Sequence, residues 1–159
     1  MSRILIAIAL TGILGPTVRS ADNTTTNQTP AMKIRLKLHD KVLTATLTDN
    51  KTARDFASLL PLTLTLNDLF GREKFGHLPR AISEKEKRTD TYEIGDIAYW
   101  SPGPDVAIYY HRDGEKIPDP GIIIIGKIDT GADAFNVPGS VKVTMELANK
   151  SPATGTSKE

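Results

Sequence analysis

The residues best suited to chemistry are Asp129, Thr130 and Gly131, which directly follow an apolar run from Ile122 to Ile128. A carboxylate on a turn at the end of a buried strand can act as a general acid or base. Peptide hydrolysis by carboxylates needs two of them sharing one proton, because two like charges about 3 Å apart cannot both ionise. The chain contains a single Asp-Thr-Gly, so this chemistry would require two copies of the chain.

The string from Asp129 to Asp133 resembles the active-site signature of retroviral-type aspartic proteases. In that family the catalytic loop lies early in the domain, and a flap hairpin and a second apolar element follow it. Here only one predicted strand, ending near Leu147, follows the motif. The favoured interpretation is a tight turn. Asp129 would brace it through hydrogen bonds to backbone N–H groups two residues on, and Gly131 would take a positive φ. A dimeric aspartic protease is the disfavoured alternative.

Other chemistry-bearing patterns are sparse. The three histidines are far apart in sequence and none has a second histidine or a cysteine at helical i+4 spacing, so no metal site is predicted. The chain has no phosphate-binding loop, no Ser-His-Asp arrangement and no dinucleotide fingerprint, so no cofactor is predicted. It also has no cysteine, which excludes a thiol nucleophile and disulfide bonds.

The N-terminal segment indicates export. Arg3 precedes an apolar run from Ile4 to Leu14, and Pro16 and Ser20 follow, as in a cleaved secretory signal covering residues 1–20. The mature chain should begin near Ala21 or Asp22. We expect a secreted or periplasmic protein, with no stable membrane insertion after cleavage.

The mature chain is predicted to contain one domain. Residues 21–31 are polar and indicate a disordered linker, residues 32–149 form the domain, and residues 150–159 form a flexible tail. Without Arg3 and Arg19, 18 of the 20 basic residues remain against 19 acidic ones. This balance offers no electrostatic footprint for nucleic acid. A monomer is the expected state.

Alternation of apolar and polar residues predicts a mainly β domain. The predicted strands are an initial hairpin and five further segments: 34–38, 43–47, 62–66, 96–100, 106–110, 122–128 and 141–147. One helix is predicted between them, capped by Thr52 and ended by Pro61. Residues 67–95 are predicted to be irregular. Six or seven strands and one helix favour a closed or nearly closed barrel.

The order of the predicted elements resembles that of the cyclophilins, and four motifs in a fixed order resemble more closely those of a group of bacterial proteins, often exported, with a cyclophilin-like fold. The motifs are LPRAIS at 78–83, GDIAYW at 95–100, VAIYY at 106–110 and IIGKIDTG at 124–131. The resemblance covers residues 32 to about 147. It implies a closed β-barrel of about eight strands with one capping α-helix.

The resemblance also implies a site. Cyclophilins catalyse prolyl isomerisation, whose barrier of about 18–20 kcal/mol arises from amide resonance. They use an arginine that donates to the prolyl amide beside an aromatic pocket. Arg80 stands at the position of that arginine and Tyr109 at the position of a pocket phenylalanine. Ala107 replaces the family's glutamine, and the loop 114–121 lacks the pocket tryptophan and histidine.

The predicted ligand-binding residues are therefore Arg80, Trp100 and Tyr109, with Arg80 catalytic if the protein is an enzyme. The expected function is a non-catalytic or weakly catalytic module that binds a peptide or small ligand. A peptidyl-prolyl cis-trans isomerase is the alternative.

Overall fold

The computed structural model describes residues 31–148. It contains one helix, α1 (Lys51–Ala57), a single 3-10 turn (Ala132–Phe135) and eight strands. The strands are β1 (Lys33–Leu38), β2 (Lys41–Leu47), β3 (Leu62–Leu69), β4 (Glu73–His77), β5 (Asp96–Trp100), β6 (Asp105–Tyr109), β7 (Ile123–Ile128) and β8 (Val141–Leu147). They close into an antiparallel barrel in the order β1-β2-β7-β5-β6-β4-β3-β8. The predicted closed eight-stranded barrel with one helix is confirmed.

Several sequence predictions concern residues outside this description. The signal at 1–20, nearly all of the linker at 21–31 and the tail at 150–159 lie outside the described residues. Within residues 31–148, none of the helices has the length and apolar character needed to cross a bilayer.

Successive side chains on a strand point to opposite sides of the barrel wall, and around β6 both sides are apolar. On β6, Val106 and Ile108 belong to the barrel-interior core, which also contains side chains from the other side of the barrel. Their neighbours Ala107 and Tyr109 belong to a second cluster on the outer face. That outer cluster is covered by Tyr92, Ile117 and Ile122, from the segments that precede β5 and β7.

Helix α1 contributes Ala53, Phe56 and Ala57 to the barrel-interior core, and so caps the barrel as predicted. Its N-cap is Asn50, whose side-chain oxygen accepts a hydrogen bond from the Ala53 N–H at 2.7 Å. The prediction of Thr52 as the cap was wrong, because Thr52 already lies inside the first turn and is buried. The Asn50 amide also donates to the Ile124 carbonyl at 3.0 Å, which ties the start of the helix to β7.

The prediction that residues 67–95 are irregular was wrong in its first part. Strand β3 continues to Leu69, and β4 lies between β3 and β6 in the barrel. Strand β4 escaped detection because Glu73 and Lys74 are charged and yet buried, which removes the alternation of apolar and polar residues. Gly76 is required by close approach, since a Cβ there would lie 2.7 Å from Leu66 Cδ2 on β3.

The Asp129 turn follows β7 as expected, and Gly131 has the expected positive φ of 81°. The hydrogen-bond partners of the carboxylate differ from the prediction. It accepts from Thr46 Oγ1 at 2.7 Å and from Lys33 Nζ at 2.9 Å, on β2 and β1, rather than from backbone N–H groups two residues on. These bonds, the one from Thr46 first, lower the pKa of Asp129. They give Asp129 a structural role in joining the end of β7 to the first hairpin.

Candidate ligand-binding site

A pocket of about 220 Å³ opens on the outer face of the barrel wall, where β4, β5 and β6 lie side by side. We call it the outer-wall pocket. Its lining residues come from the β3–β4 turn, from these three strands and from the segment before β7. They are Leu69, Phe70, Arg72, Glu73, Phe75, Trp100, Asp105, Ala107, Tyr109, Ile117, Pro118 and Ile122.

Strand register explains how the pocket is arranged. Glu73 pairs with Tyr109, and Phe75 pairs with Ala107, two residues further along the same pair of strands. Asp105 lies two residues beyond Ala107 and therefore at the other end of the pocket. Because Ala107 has only a methyl group, the wall is recessed between its larger neighbours. The pocket thus has a carboxylate at each end and an apolar middle.

Arg72 connects the pocket to the loop after β6. Its Nη1 donates to Asp113 Oδ2 at 3.3 Å, and its Nη2 lies 4.0 Å from Glu73 Oε1. The guanidinium carbon lies 5.2 Å from the ring centre of Phe70 and 5.7 Å from that of Tyr92. The Tyr92 hydroxyl in turn donates to Asp113 Oδ1 at 2.7 Å. The guanidinium is therefore held by one carboxylate and two rings.

Two polar atoms in this network remain unsatisfied. Arg72 and Glu73 are each only 5% exposed, yet Arg72 Nε and Glu73 Oε2 have no hydrogen-bond partner of acceptable geometry among the described residues. An unsatisfied buried donor or acceptor costs about 1–3 kcal/mol. The fold bears this cost beside the pocket that both residues line.

Burial raises the pKa of Glu73 above its ordinary value. The neighbouring Tyr109 hydroxyl and the Arg72 guanidinium oppose this effect, whereas the carboxylates of Asp113 and Asp105 add to it. The pKa of Tyr109 is also raised, first by burial and then by Glu73. The pocket wall therefore holds a carboxyl group that is costly to ionise in the absence of a compensating charge.

Phe70 lies at the mouth of the pocket in an unusual backbone conformation. It and Gly71 have φ values of 57° and 65°, within a turn closed by the Arg72 N–H and the Leu69 carbonyl at 3.2 Å. Positive φ is unfavourable for a bulky residue, and such turns prefer Asn, Asp or Gly. The side chain of Phe70 is also 76% exposed. Neither backbone preference nor burial accounts for a phenylalanine here. Its ring lies over the Arg72 guanidinium and also lines the pocket.

The structure brings together two of the three predicted site residues. Trp100 and Tyr109 both line the outer-wall pocket. Arg80 is exposed and lies outside the pocket lining; its guanidinium donates to Ser58 Oγ at 3.0 Å and to the Ala81 carbonyl at 3.3 Å. The arginine that does line the pocket is Arg72.

Sequence reasoning missed Arg72, Glu73 and Phe70 as site residues. They belong to the segment predicted to be irregular, where no strand was available to place them. One usable signal was present: Glu73 and Phe75 are two residues apart, as expected of neighbours on one face of a strand. Within residues 31–148, no group of three His, Cys, Asp or Glu side chains could hold a metal ion.

Comparison with known proteins agrees with this architecture. The profile of the Cyclophilin-like family matches residues 36–146. Among solved structures, the chain is similar to the solution structure of the hypothetical protein AF2241 from Archaeoglobus fulgidus. The TM-score is 0.61 at 23% sequence identity, and the match covers 77% of this chain and 99% of that chain. At this identity the likeness shows the fold alone. No curated protein sequence matches the chain.

Proposed function

This chain belongs to the cyclophilin-like family, and on that premise we propose that it is a binding module that holds a peptide side chain or small ligand in the outer-wall pocket. The observation that carries the proposal is the pair Arg72 and Glu73, buried beside an apolar cavity with one unsatisfied polar atom each. Ligand sites are typically apolar cavities with a few placed polar groups.

The size of the pocket limits its occupant. At about 220 Å³ it is smaller than the roughly 300–1,000 Å³ typical of drug-sized ligand sites. It therefore fits one ring or one long side chain, with the rest of a larger ligand lying across the mouth near Phe70. A single residue of a peptide is an occupant of this size.

Trp100 provides a direct probe of binding, because it is the only tryptophan of the chain and it lines the pocket. Single-ring compounds and capped dipeptides would be titrated while Trp100 fluorescence is recorded. We expect saturable changes with some of them. Ala107→Leu fills the recess and should abolish these changes, whereas Ala81→Leu, at an exposed position, should preserve them. The proposal fails if no compound alters Trp100 fluorescence, or if folded Ala107→Leu binds as the wild type does.

Weak peptidyl-prolyl isomerase activity is the second candidate, favoured by the presence of a guanidinium in an aromatic pocket. Isomerase activity of the cyclophilin kind needs an arginine donating to the prolyl amide, and Arg72 is the pocket arginine. The test is isomerisation of a model proline peptide by the wild type, Arg72→Lys and Arg80→Ala. Activity lost in Arg72→Lys and kept in Arg80→Ala would assign the role to Arg72. Activity lost only in Arg80→Ala would return the role to Arg80, and a background rate in the wild type would exclude isomerisation.

We further propose that the module acts outside the cytoplasm after removal of residues 1–20. The support is the charged, apolar and small-residue order of that segment. Mass spectrometry of protein recovered from the secreted or periplasmic fraction should find an N-terminus near Ala21 or Asp22. An intact Met1 in that fraction would contradict cleavage.

A further inference from the structure

We infer that the outer-wall pocket takes a protonated amine carried on an apolar or aromatic body. This inference rests on the proposed function, because it names the class of ligand for the same site. Its basis is the charge of the pocket, the unsatisfied acceptor at one end and the aromatic groups in between.

The pocket carries an excess of acidic groups, and burial raises the pKa of both of them. Two carboxylates, Glu73 and Asp105, line it against a single guanidinium, Arg72. The charge of Arg72 is already balanced by Asp113, which accepts a hydrogen bond from it at 3.3 Å. His77, beside Asp105, is mostly exposed and adds positive charge only when it is protonated. A cation that enters the pocket therefore offsets the cost of ionising these carboxyl groups, whereas an anion adds to that cost.

Glu73 supplies the hydrogen-bond acceptor. Its Oε2 is buried without a hydrogen-bond partner among residues 31–148, and burial raises the pKa of this carboxyl, so that its ionisation is costly. An ammonium group donates up to three hydrogen bonds and brings the compensating charge. A hydrogen bond between two charged groups is stronger than one between neutral groups. The group that most completely satisfies Glu73 is therefore a protonated amine.

Aromatic side chains line the path between the two carboxylates. Phe75 and Trp100 lie toward the Asp105 end, Tyr109 lies beside Glu73, and Phe70 lies at the mouth. The face of an aromatic ring attracts a cation electrostatically and also provides apolar contact for the body that carries the cation. The cation-attracting groups and the apolar groups thus favour the same kind of ligand.

Arg72 offers little to a competing anion. Its guanidinium is paired with Asp113 and lies near the rings of Phe70 and Tyr92, and its side chain is only 7% exposed. A carboxylate ligand that reached Arg72 Nε would lie against Glu73, whose Oε1 is only 4.0 Å from Arg72 Nη2. Recognition of an amine does not meet this repulsion, because the amine binds on the Glu73 side.

The test uses four compounds of similar shape that differ in charge: 2-phenylethylamine, 2-phenylethanol, phenylacetamide and phenylacetate. Their affinities for the full-length protein would be measured at pH 7.5 by Trp100 fluorescence and calorimetry. We expect the amine to bind about tenfold or more tightly than the alcohol and the amide, and the carboxylate to bind most weakly. Glu73→Gln should reduce amine affinity about tenfold and leave alcohol affinity unchanged. Glu115→Gln, on the exposed loop after β6, should change neither.

Other results would contradict the amine inference, the proposed binding function or both. If the alcohol, amide or carboxylate binds as tightly as the amine, the inference is wrong and the pocket remains a ligand site. If none of the four binds while other ring compounds or dipeptides do, the inference is also wrong and the proposed function stands. If nothing binds at all, both are wrong. Should Glu73→Gln not fold, the ranking of the four compounds on the wild type decides alone.

Discussion

Glu73 and Lys74 are neighbours on β4, both charged and both buried, but they point to opposite faces of the barrel wall. Lys74 is fully buried, and its Nζ donates to Asp68 Oδ1 at 2.8 Å and to the carbonyls of Val137 and Gly139 at 2.6 and 2.7 Å. All three ammonium protons are therefore used. Glu73, on the pocket side, leaves Oε2 unsatisfied.

The network around Lys74 is also electrostatically complete. The Tyr110 hydroxyl donates to Asp68 Oδ1 at 2.5 Å. The bonds from Lys74 and then Tyr110 lower the pKa of Asp68, while burial and Asp68 raise the pKa of Tyr110 to about 12. Lys74 thus ties the β3–β4 hairpin to the segment that leads into β8. Burial of a charged group therefore does not by itself indicate a binding site. Glu73 differs from Lys74 because it both lines a pocket and leaves an acceptor atom unsatisfied.

Replacement of Lys74 should have the largest effect on stability, because its role is structural. Lys74→Met keeps an apolar stem of similar length but leaves two carbonyls and Asp68 without their donor. We expect the free energy of unfolding to fall by about 3 kcal/mol. Urea unfolding would measure it, with Lys85→Met as the exposed control. A loss below about 0.5 kcal/mol would show that Lys74 does not have the structural role assigned to it.

Glu73→Gln should have an effect of opposite sign. The amide has no charge to keep buried, so we expect the free energy of unfolding at pH 7 to rise by about 1 kcal/mol. The same variant is expected to bind amine ligands more weakly. Urea unfolding beside Lys74→Met would check the contrast. A destabilisation as large as that of Lys74→Met would mean that Glu73 is a structural residue too.

The increase in the free energy of unfolding caused by Glu73→Gln should depend on pH. Because the folded protein raises the pKa of Glu73 above the ordinary 4.5, the folded state retains a proton that the unfolded state releases. The wild type should therefore lose stability relative to Glu73→Gln as pH rises from 4.5 through the folded pKa, and the two should converge below 4.5. The free energy of unfolding of both proteins would be measured between pH 3.5 and 8. The other titrating groups are the same in both proteins, so their contributions cancel in the difference. If the difference in free energy of unfolding between the two proteins narrows as pH rises, the folded protein lowers the pKa of Glu73 instead.

The smallest effect is expected at Phe70. Asn tolerates positive φ better than Phe, so Phe70→Asn should raise the free energy of unfolding by about 0.5–1 kcal/mol while weakening ligand binding. Thermal melts and Trp100 titrations of the same sample would measure both. Phe70→Leu is the control, because it keeps an apolar group and the backbone strain. Equal melting of Phe70→Asn and the wild type would mean that the turn conformation carries no cost.

Most strands of the barrel could be predicted because their patterns are local. Ile34, Leu36 and Leu38 alternate with charged residues within six positions, and all three are buried in the barrel interior. The positive φ of Gly131 followed from the turn chemistry of its own segment. The helix was predicted in the right place, but both of its ends were misplaced. Asn50 rather than Thr52 caps it, since both are acceptable cap residues by type. It ends at Ala57 rather than just before Pro61.

The candidate site could be predicted only in part. Trp100 and Tyr109, which line the candidate pocket, were named from the motifs that their strands carry. Arg72 and Glu73 were missed because charged residues are normally expected at the surface, and no pattern in the neighbouring sequence predicts that they are buried. Arg80 was chosen from a short motif, and its position outside the pocket depends on contacts with Ser58, 22 residues away.

Local sequence pattern was thus enough to establish a mainly β chain, the positions of most strands along the chain and the turn after β7. Alternation and turn chemistry are readable locally because they act over a few residues. The pocket depended on contacts between distant segments. Closure of the barrel inserts β4 between β3 and β6 and pairs Glu73 with Tyr109. The same closure sends Lys74 inward to the carbonyls of Val137 and Gly139. Whether a buried charge finds all its partners is settled only by which remote groups the fold brings within hydrogen-bond distance.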